Sequence, residues 1–333
     1  MRIDQIWKEL EEDSTFFYGL LLKRYAGSIL PDIYVALKGP EKFRCLAASL
    51  NTDVKVDIER FSNLTGARIE LIPDPENPYK KMLILVLLDF RYKDIFSVLC
   101  EDLIVNVGFI TTESGLVKEL INRFERWESL FGRAGLQGLS ALEQRGLFGE
   151  MILLKKLLGR TSNYIHVLNA WVGCEGALRD FHMSTWGIEV KTTLGNNHQR
   201  IHISSERQLD PSNLEDLFLF HVSLEIIQNS GESLNSLVRT IRQTLESDFR
   251  ALNKFNAKLA EGNYFDHHQD LYDEIGYAVR EETFYKVFKN FPRIEEKDIR
   301  AGVGEIRYSI IVSDMSEYQR TESEIFQILK LNE

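Results

Sequence analysis

Cysteine is scarce in this 333-residue chain. Cys45, Cys100 and Cys174 are odd in number, widely spaced and set in no metal-binding pattern. That excludes a disulfide framework and a thiolate zinc site, and points to reduced thiols in a cytoplasmic protein. Long apolar runs are missing too. The longest, Met82 to Leu88, suits a buried strand and falls far short of the roughly 20 residues that span a bilayer, so no membrane role is expected. The first residues, Met1 to Trp7, read as the start of an amphipathic helix rather than the apolar core of a signal peptide. There is no Walker A loop, so ATP-driven motion would have to come from another protein. Gly302-Val303-Gly304 precedes a strand and opens no dinucleotide-binding helix, and Asp266-His267-His268 sits in an acidic loop without companion aspartates.

Positive charge is also short overall. The net charge is −10, which argues against strong non-specific binding to nucleic acid by the chain alone. The distribution is uneven. Residues 1–132 hold 17 basic and 21 acidic side chains, and residues 211–333 hold 14 and 22. The stretch 133–210 reverses the sign, with 9 basic against 7 acidic and four of the seven histidines.

What is present supports a mixed α+β or α/β protein. Residues 5–25 read as a helix, followed by strands at 33–37, 43–47, 54–59, 68–72 and 81–89, the last two joined by a proline-rich turn. Helices are expected near 93–105 and 113–131. This makes 1–132 an N-terminal α+β domain, for recognition or assembly, that carries no catalytic constellation. The glycine-rich segment 132–138 is the most linker-like, and 133–333 forms the second domain. Ser140 and Glu143 form a capping box, starting a helix that Gly159 stops. Strands are expected at 178–182, 188–192, 200–204 and 217–227, then one helix over about 233–260, an acidic loop at 261–275, strands at 283–288 and 304–313, and a final helix at 316–331.

The chemistry concentrates at Asp180 and Glu189-Val190-Lys191. Alternation along Ile188 to Thr192 puts Glu189 and Lys191 on one face of a strand, and Asp180 at the end of the preceding strand would stand beside them. Two adjacent carboxylates repel unless a divalent cation joins them, and hard oxygen donors suit Mg²⁺. A lysine one pleat along can orient a water and balance charge on a phosphoryl oxygen. Glu150 lies on the helix with Gly146 and Gly149 around it. Glycine costs about 1 kcal/mol in a helix, and close approach of this helix to the sheet would explain both glycines and aim Glu150 at Asp180. The competing picture for Glu150 is an exposed acid, and for the strands an ordinary solvated hairpin with a cross-strand ion pair.

The ordered set of acid-bearing helix, Asp180, Glu189-Val190-Lys191, a further strand and a polar turn resembles the PD-(D/E)XK nuclease superfamily, with its restriction-endonuclease-like mixed sheet flanked by helices. The strings Gly146 to Glu150 and Ser205 to Leu209 resemble, more narrowly, a bacterial PD-(D/E)XK family encoded near DNA modification and phage-defence genes. The resemblance implies Mg²⁺, with Mn²⁺ able to substitute, held by Asp180, Glu189 and the Val190 carbonyl. It implies water positioning by Lys191, and a role for Glu150 at a second metal or its waters. Gln208, Ser205 and Thr192 are accessory candidates, and His198 and His202 are expected in loops or near DNA. The implied activity is that of a DNA endonuclease in a restriction or phage-defence setting, working as a homodimer or with partner subunits. An inactive scaffold subunit that binds a protein partner is the alternative. One departure stands out: Arg179 occupies the place of the proline that names the motif.

Overall fold

The computed structural model describes residues 3–58, 61, 66–75, 77–133, 138–195, 200–228 and 230–331. They group into two compact units, one of residues 1–138 with 265–267, the other of 139–264 with 268–333. No helix among them is long and apolar enough to cross a membrane.

The first unit is an antiparallel sheet with three helices. In chain order it comprises α1 (Ile3–Glu11), β1 (Leu20–Arg24), β2 (Ile33–Lys38), β3 (Phe43–Asn51), β4 (Ala67–Pro73), β5 (Lys80–Leu87), α2 (Lys93–Val107) and α3 (Glu113–Arg133). The strand order is β1-β2-β3-β5-β4, and the predicted hairpin pairs Pro73 with Lys81. Two expectations change. The helix predicted over 5–25 stops at Glu11, because the Asp13 carboxylate takes the Thr15 N–H (2.8 Å) and hydroxyl (2.6 Å) into a turn. Leu20 to Arg24 then pair with β2 as a strand. The strand predicted over 54–59 is not formed by its described residues, 54–58. The chain turns out of the sheet there, with the Val54 N–H donating to Asn51 O at 3.2 Å.

The second unit holds α4 (Ala141–Leu158), α5 (Tyr164–Ala170), β6 (Phe181–His182), β7 (Trp186–Leu194), β8 (Arg200–Ile203), β9 (Asp216–Gln228), β10 (Glu232–Ser233), α6 (Leu234–Thr244), α7 (Phe249–Glu261), α8 (Gln269–Tyr272), β11 (Ile275–Lys286), β12 (Tyr308–Ile311), β13 (Gln319–Arg320) and α9 (Glu322–Leu329). Its sheet is mixed. The order is β10-β11-β9-β7-β6, with β13 added to β11. Strands β7 and β9 run parallel, and the other pairings are antiparallel.

Strand β9 explains why this sheet lies deep. Residues 217–224 are buried without a break, the mark of a strand covered on both faces. Phe218, Phe220, Val222 and Leu224 join a core with Trp171 and with Phe148, Met151, Val238 and Phe255 from the helices. Leu217 and Leu219 face a smaller core built with Ile201, Ile203, Ile310 and Tyr318 around the β8–β12 ribbon. The predicted capping box at Ser140 and Glu143 starts α4. The single helix expected over 233–260 is two helices, because Asp248 caps a new one by accepting from the Ala251 N–H at 3.0 Å. The last helix begins only at Glu322, where Thr321 and Glu324 form their own capping box. The expected loop 261–275 contains α8, and the strand expected at 283–288 starts earlier, at Ile275.

Candidate metal centre

The strand predicted over 178–182 is reduced to Phe181 and His182, which pair with Ile188 and Gly187 of β7. One residue earlier the ladder changes character. The Asp180 side chain, rather than a backbone carbonyl, accepts the Val190 N–H at 2.7 Å. Its backbone carbonyl meanwhile accepts from Val172 (2.8 Å) and Gly173 (2.9 Å). Asp180 therefore sits where β6 parts from β7, its side chain held against the middle of the Glu189-Val190-Lys191 motif.

On β7 the alternation holds. Val190 packs in the helical core, while Glu189 and Lys191 share the other face and form an ion pair at 2.6 Å. Glu189 is 1% exposed, and its Oε2 is buried without a hydrogen-bond partner. Leaving a buried polar atom unmet costs about 1–3 kcal/mol, and more for a charge, so such an atom calls for an explanation in function. Lys191, Asp180 and Glu150 are each partly exposed, which leaves the group open to solvent with Glu189 beneath.

Glu150 reaches this place because α4 lies unusually close to β7. A Cβ on Gly149 would stand 2.5 Å from Thr192 Cγ2 and 3.3 Å from Val190 Cγ1, so only glycine permits the approach. Gly146 has no such reason, since a Cβ there meets no atom within 4 Å. Glu150 Oε2 accepts from the Trp171 indole at 2.7 Å. A Cβ on Gly173 would lie 2.8 Å from Asp180 Oδ1 and 3.0 Å from Glu150 Oε2. The two oxygens are therefore no further apart than those distances together, with a gap between them that the missing side chain leaves open.

Burial and mutual repulsion set the protonation of the group. Burial, then the neighbouring Asp180, lifts the Glu189 carboxyl from 4.5 to about 8, against the pull of Lys191 and Arg179. Glu150 is pushed well above the carboxylate range, first by its depth and then by Asp180. Asp180 is raised by burial despite the Val190 N–H. Three carboxyls raised together form a site short of positive charge, which is what a divalent cation supplies. The donors are hard oxygens, Glu189 Oε2 is unmet, and Asp180 and Glu150 border the gap at Gly173, so the residues fit a hard divalent cation. Among the described residues, one trio of Cys, His, Asp or Glu side chains brings its ligand atoms all within 4.8 Å: Cys174, Glu175 and Glu261. There the ammonium of Lys258 already pairs with Glu175. Asp180, Glu189 and Glu150 are more open than that, with Lys191 drawn onto Glu189.

The accessory candidates Gln208 and Ser205 have hydrogen bonds of their own. Gln208 Oε1 accepts from Ser204 N (3.0 Å) and Oγ (3.1 Å), and Ser205 Oγ accepts from Arg207 N at 3.3 Å; both side chains shape their own turn. The Thr192 methyl faces Gly149, away from Glu189 and Lys191. His202 is bonded to Ser309 at 2.9 Å, and His198 lies outside the described residues.

Sequence reading missed Trp171 and Gly173, and passed over what Arg179 does. The Arg179 guanidinium donates to the carbonyls of Gln208 (3.0 Å), Arg207 (3.2 Å) and Asp210. The residue standing in the proline's place thus ties the Ser205–Asp210 turn to the segment that carries Asp180. The tryptophan and glycine just ahead of an acid-bearing strand were the available signal.

A family model described as "Putative PD-(D/E)XK family member, (DUF4420)" matches residues 3–313. The chain belongs to that family, whose superfamily consists largely of metal-using nucleases. No curated protein and no solved structure matches the chain.

Proposed function

We propose that the protein is a metal-dependent nuclease that hydrolyses phosphodiester bonds of DNA as an endonuclease, in a restriction or phage-defence setting. The observation that carries this reading is the convergence of Glu150, Asp180 and Glu189, all raised in pKa, with Lys191 at their edge and Glu189 Oε2 unmet. Asp180, Glu189 and the Val190 carbonyl would hold Mg²⁺ or Mn²⁺, with Glu150 serving a second ion or its waters. The ion, when bound, supplies Lewis-acid activation of the phosphate and of a water. Lys191 stands 2.6 Å from Glu189, where its ammonium would orient a water or steady negative charge on a phosphoryl oxygen. The Val190 N–H keeps Asp180 turned toward the site throughout. The local excess of basic residues in 133–210 suits a phosphate backbone better than the acidic remainder does.

Incubating the pure protein with supercoiled plasmid and Mg²⁺ or Mn²⁺ tests the proposal. The expected result is nicked or linear product that chelator prevents. Intact plasmid under every metal condition would instead favour the scaffold alternative.

A further inference from the structure

We infer that Trp171 is a positioning residue for the metal centre, and that Trp171-Val172-Gly173 is the clamp that fixes Glu150 against Asp180. The inference rests on the proposed metal site. The two acids come from different elements, a helix and a strand edge, and no direct bond joins them. The three-residue segment reaches both. The Trp171 indole N–H donates to Glu150 Oε2 at 2.7 Å, while the Val172 and Gly173 N–H groups hold the Asp180 carbonyl at 2.8 and 2.9 Å.

The clamp is itself anchored. The Trp171 side chain is fully buried and its ring packs on Phe255 with centroids 5.9 Å apart. Its carbonyl accepts from the buried Lys258 ammonium, which pairs in turn with Glu175. Trp171 is also bridged to Phe181, one residue past Asp180. An indole is a donor only and has a single N–H. That N–H therefore favours one orientation of Glu150, with Oε2 beside the gap at Gly173. Hydrogen-bond partners of ligating carboxylates matter by about 10–100-fold in metal affinity.

The test is a calorimetric titration with Mn²⁺ alone, on the full chain, in a double-mutant cycle of Trp171→Phe and Glu150→Gln. Trp171→Phe should weaken Mn²⁺ binding by about 10–100-fold. In the Glu150→Gln background it should weaken binding no further, because the indole acts through that carboxylate. A merely structural role would instead give additive losses, and that result overturns the inference, as does unchanged affinity in Trp171→Phe. Should Trp171→Phe fail to fold, a benzothiophene analogue placed at 171 keeps the bicyclic shape and removes only the N–H, with the same loss expected and the same unchanged affinity overturning the clamp. Wild-type protein that binds no Mn²⁺ would remove the metal site and the clamp together; wild-type binding with an indifferent Trp171 variant removes the clamp alone.

Discussion

Two buried tryptophans show how the two units differ. Trp7 and Trp171 are both fully inaccessible. The Trp7 indole donates to two backbone carbonyls, Ala36 at 3.2 Å and Cys45 at 3.1 Å, and so closes a helix onto a sheet. The Trp171 indole donates to a carboxylate that burial has made costly to ionise. The contrast extends to the charges around them. In the first unit, Arg44 pairs with Glu11 at 2.8 Å and Arg123 with Asp102 at 3.0 Å. In the second, Glu150, Asp180 and Glu189 crowd Lys191, and Glu189 Oε2 is left unmet. Ionisable groups that add nothing to a core, and repel one another within it, mark where stability has been given up for chemistry.

The largest effect is expected at Lys191. Lys191→Ala should cut plasmid cleavage by about 10²–10³-fold while far-ultraviolet circular dichroism stays unchanged, since the side chain is partly exposed and joins neither core. Cleavage at the wild-type rate would remove Lys191 from the chemistry. Trp7→Phe is the counterpart in the first unit. It leaves two carbonyls short of a donor and should lower stability by about 1–3 kcal/mol without touching Mn²⁺ affinity; a change in affinity would blur the division between the units.

Acidity distinguishes the units in a second way. Burial raises the Glu189 carboxyl toward about 8 in the folded protein, against 4.5 ordinarily. Between those values the unfolded chain has released a proton that the folded chain retains, so metal-free stability should fall as pH rises through that window. Glu189→Gln cannot ionise and should flatten the fall. Urea titrations of both proteins across the window would expose the idea if their slopes agreed. Metal binding should show the opposite trend, strengthening with pH as the cation displaces the proton.

The smallest effects separate two glycines on one helix. Gly149→Ala drives a methyl against Thr192 and Val190 and should cost about 1–3 kcal/mol. Gly146→Ala meets open space and should be neutral or stabilise by up to about 1 kcal/mol. Thermal unfolding of the pair checks both signs.

Much of the site's scaffolding was legible in the sequence. The Ser140–Glu143 capping box located α4, and the alternation over 188–192 located β7 and the face shared by Glu189 and Lys191, because both signals are local and strong. Gly149 signalled close packing, but Gly146 looked identical in sequence and the distinction lies in what stands opposite. Trp171 was invisible as part of the site, since a tryptophan in an apolar helix end reads as core, and its N–H partner lies 21 residues away. The strand at 20–24 was hidden by leucines that suit a helix equally well until the Asp13 turn intervenes. At 54–58 the pattern is right for a strand, yet the chain turns away before it can pair.

Glu150, Asp180 and Glu189, crowded and mutually repelling, are proposed to form a divalent-cation site. Calorimetric titration of Mn²⁺ into the wild-type protein and into Asp180→Asn and Glu189→Gln measures it most directly. The wild type is expected to bind saturably, with binding weakened at least about tenfold in each variant, since each loses a charged oxygen donor. Equal affinity in all three proteins would contradict it.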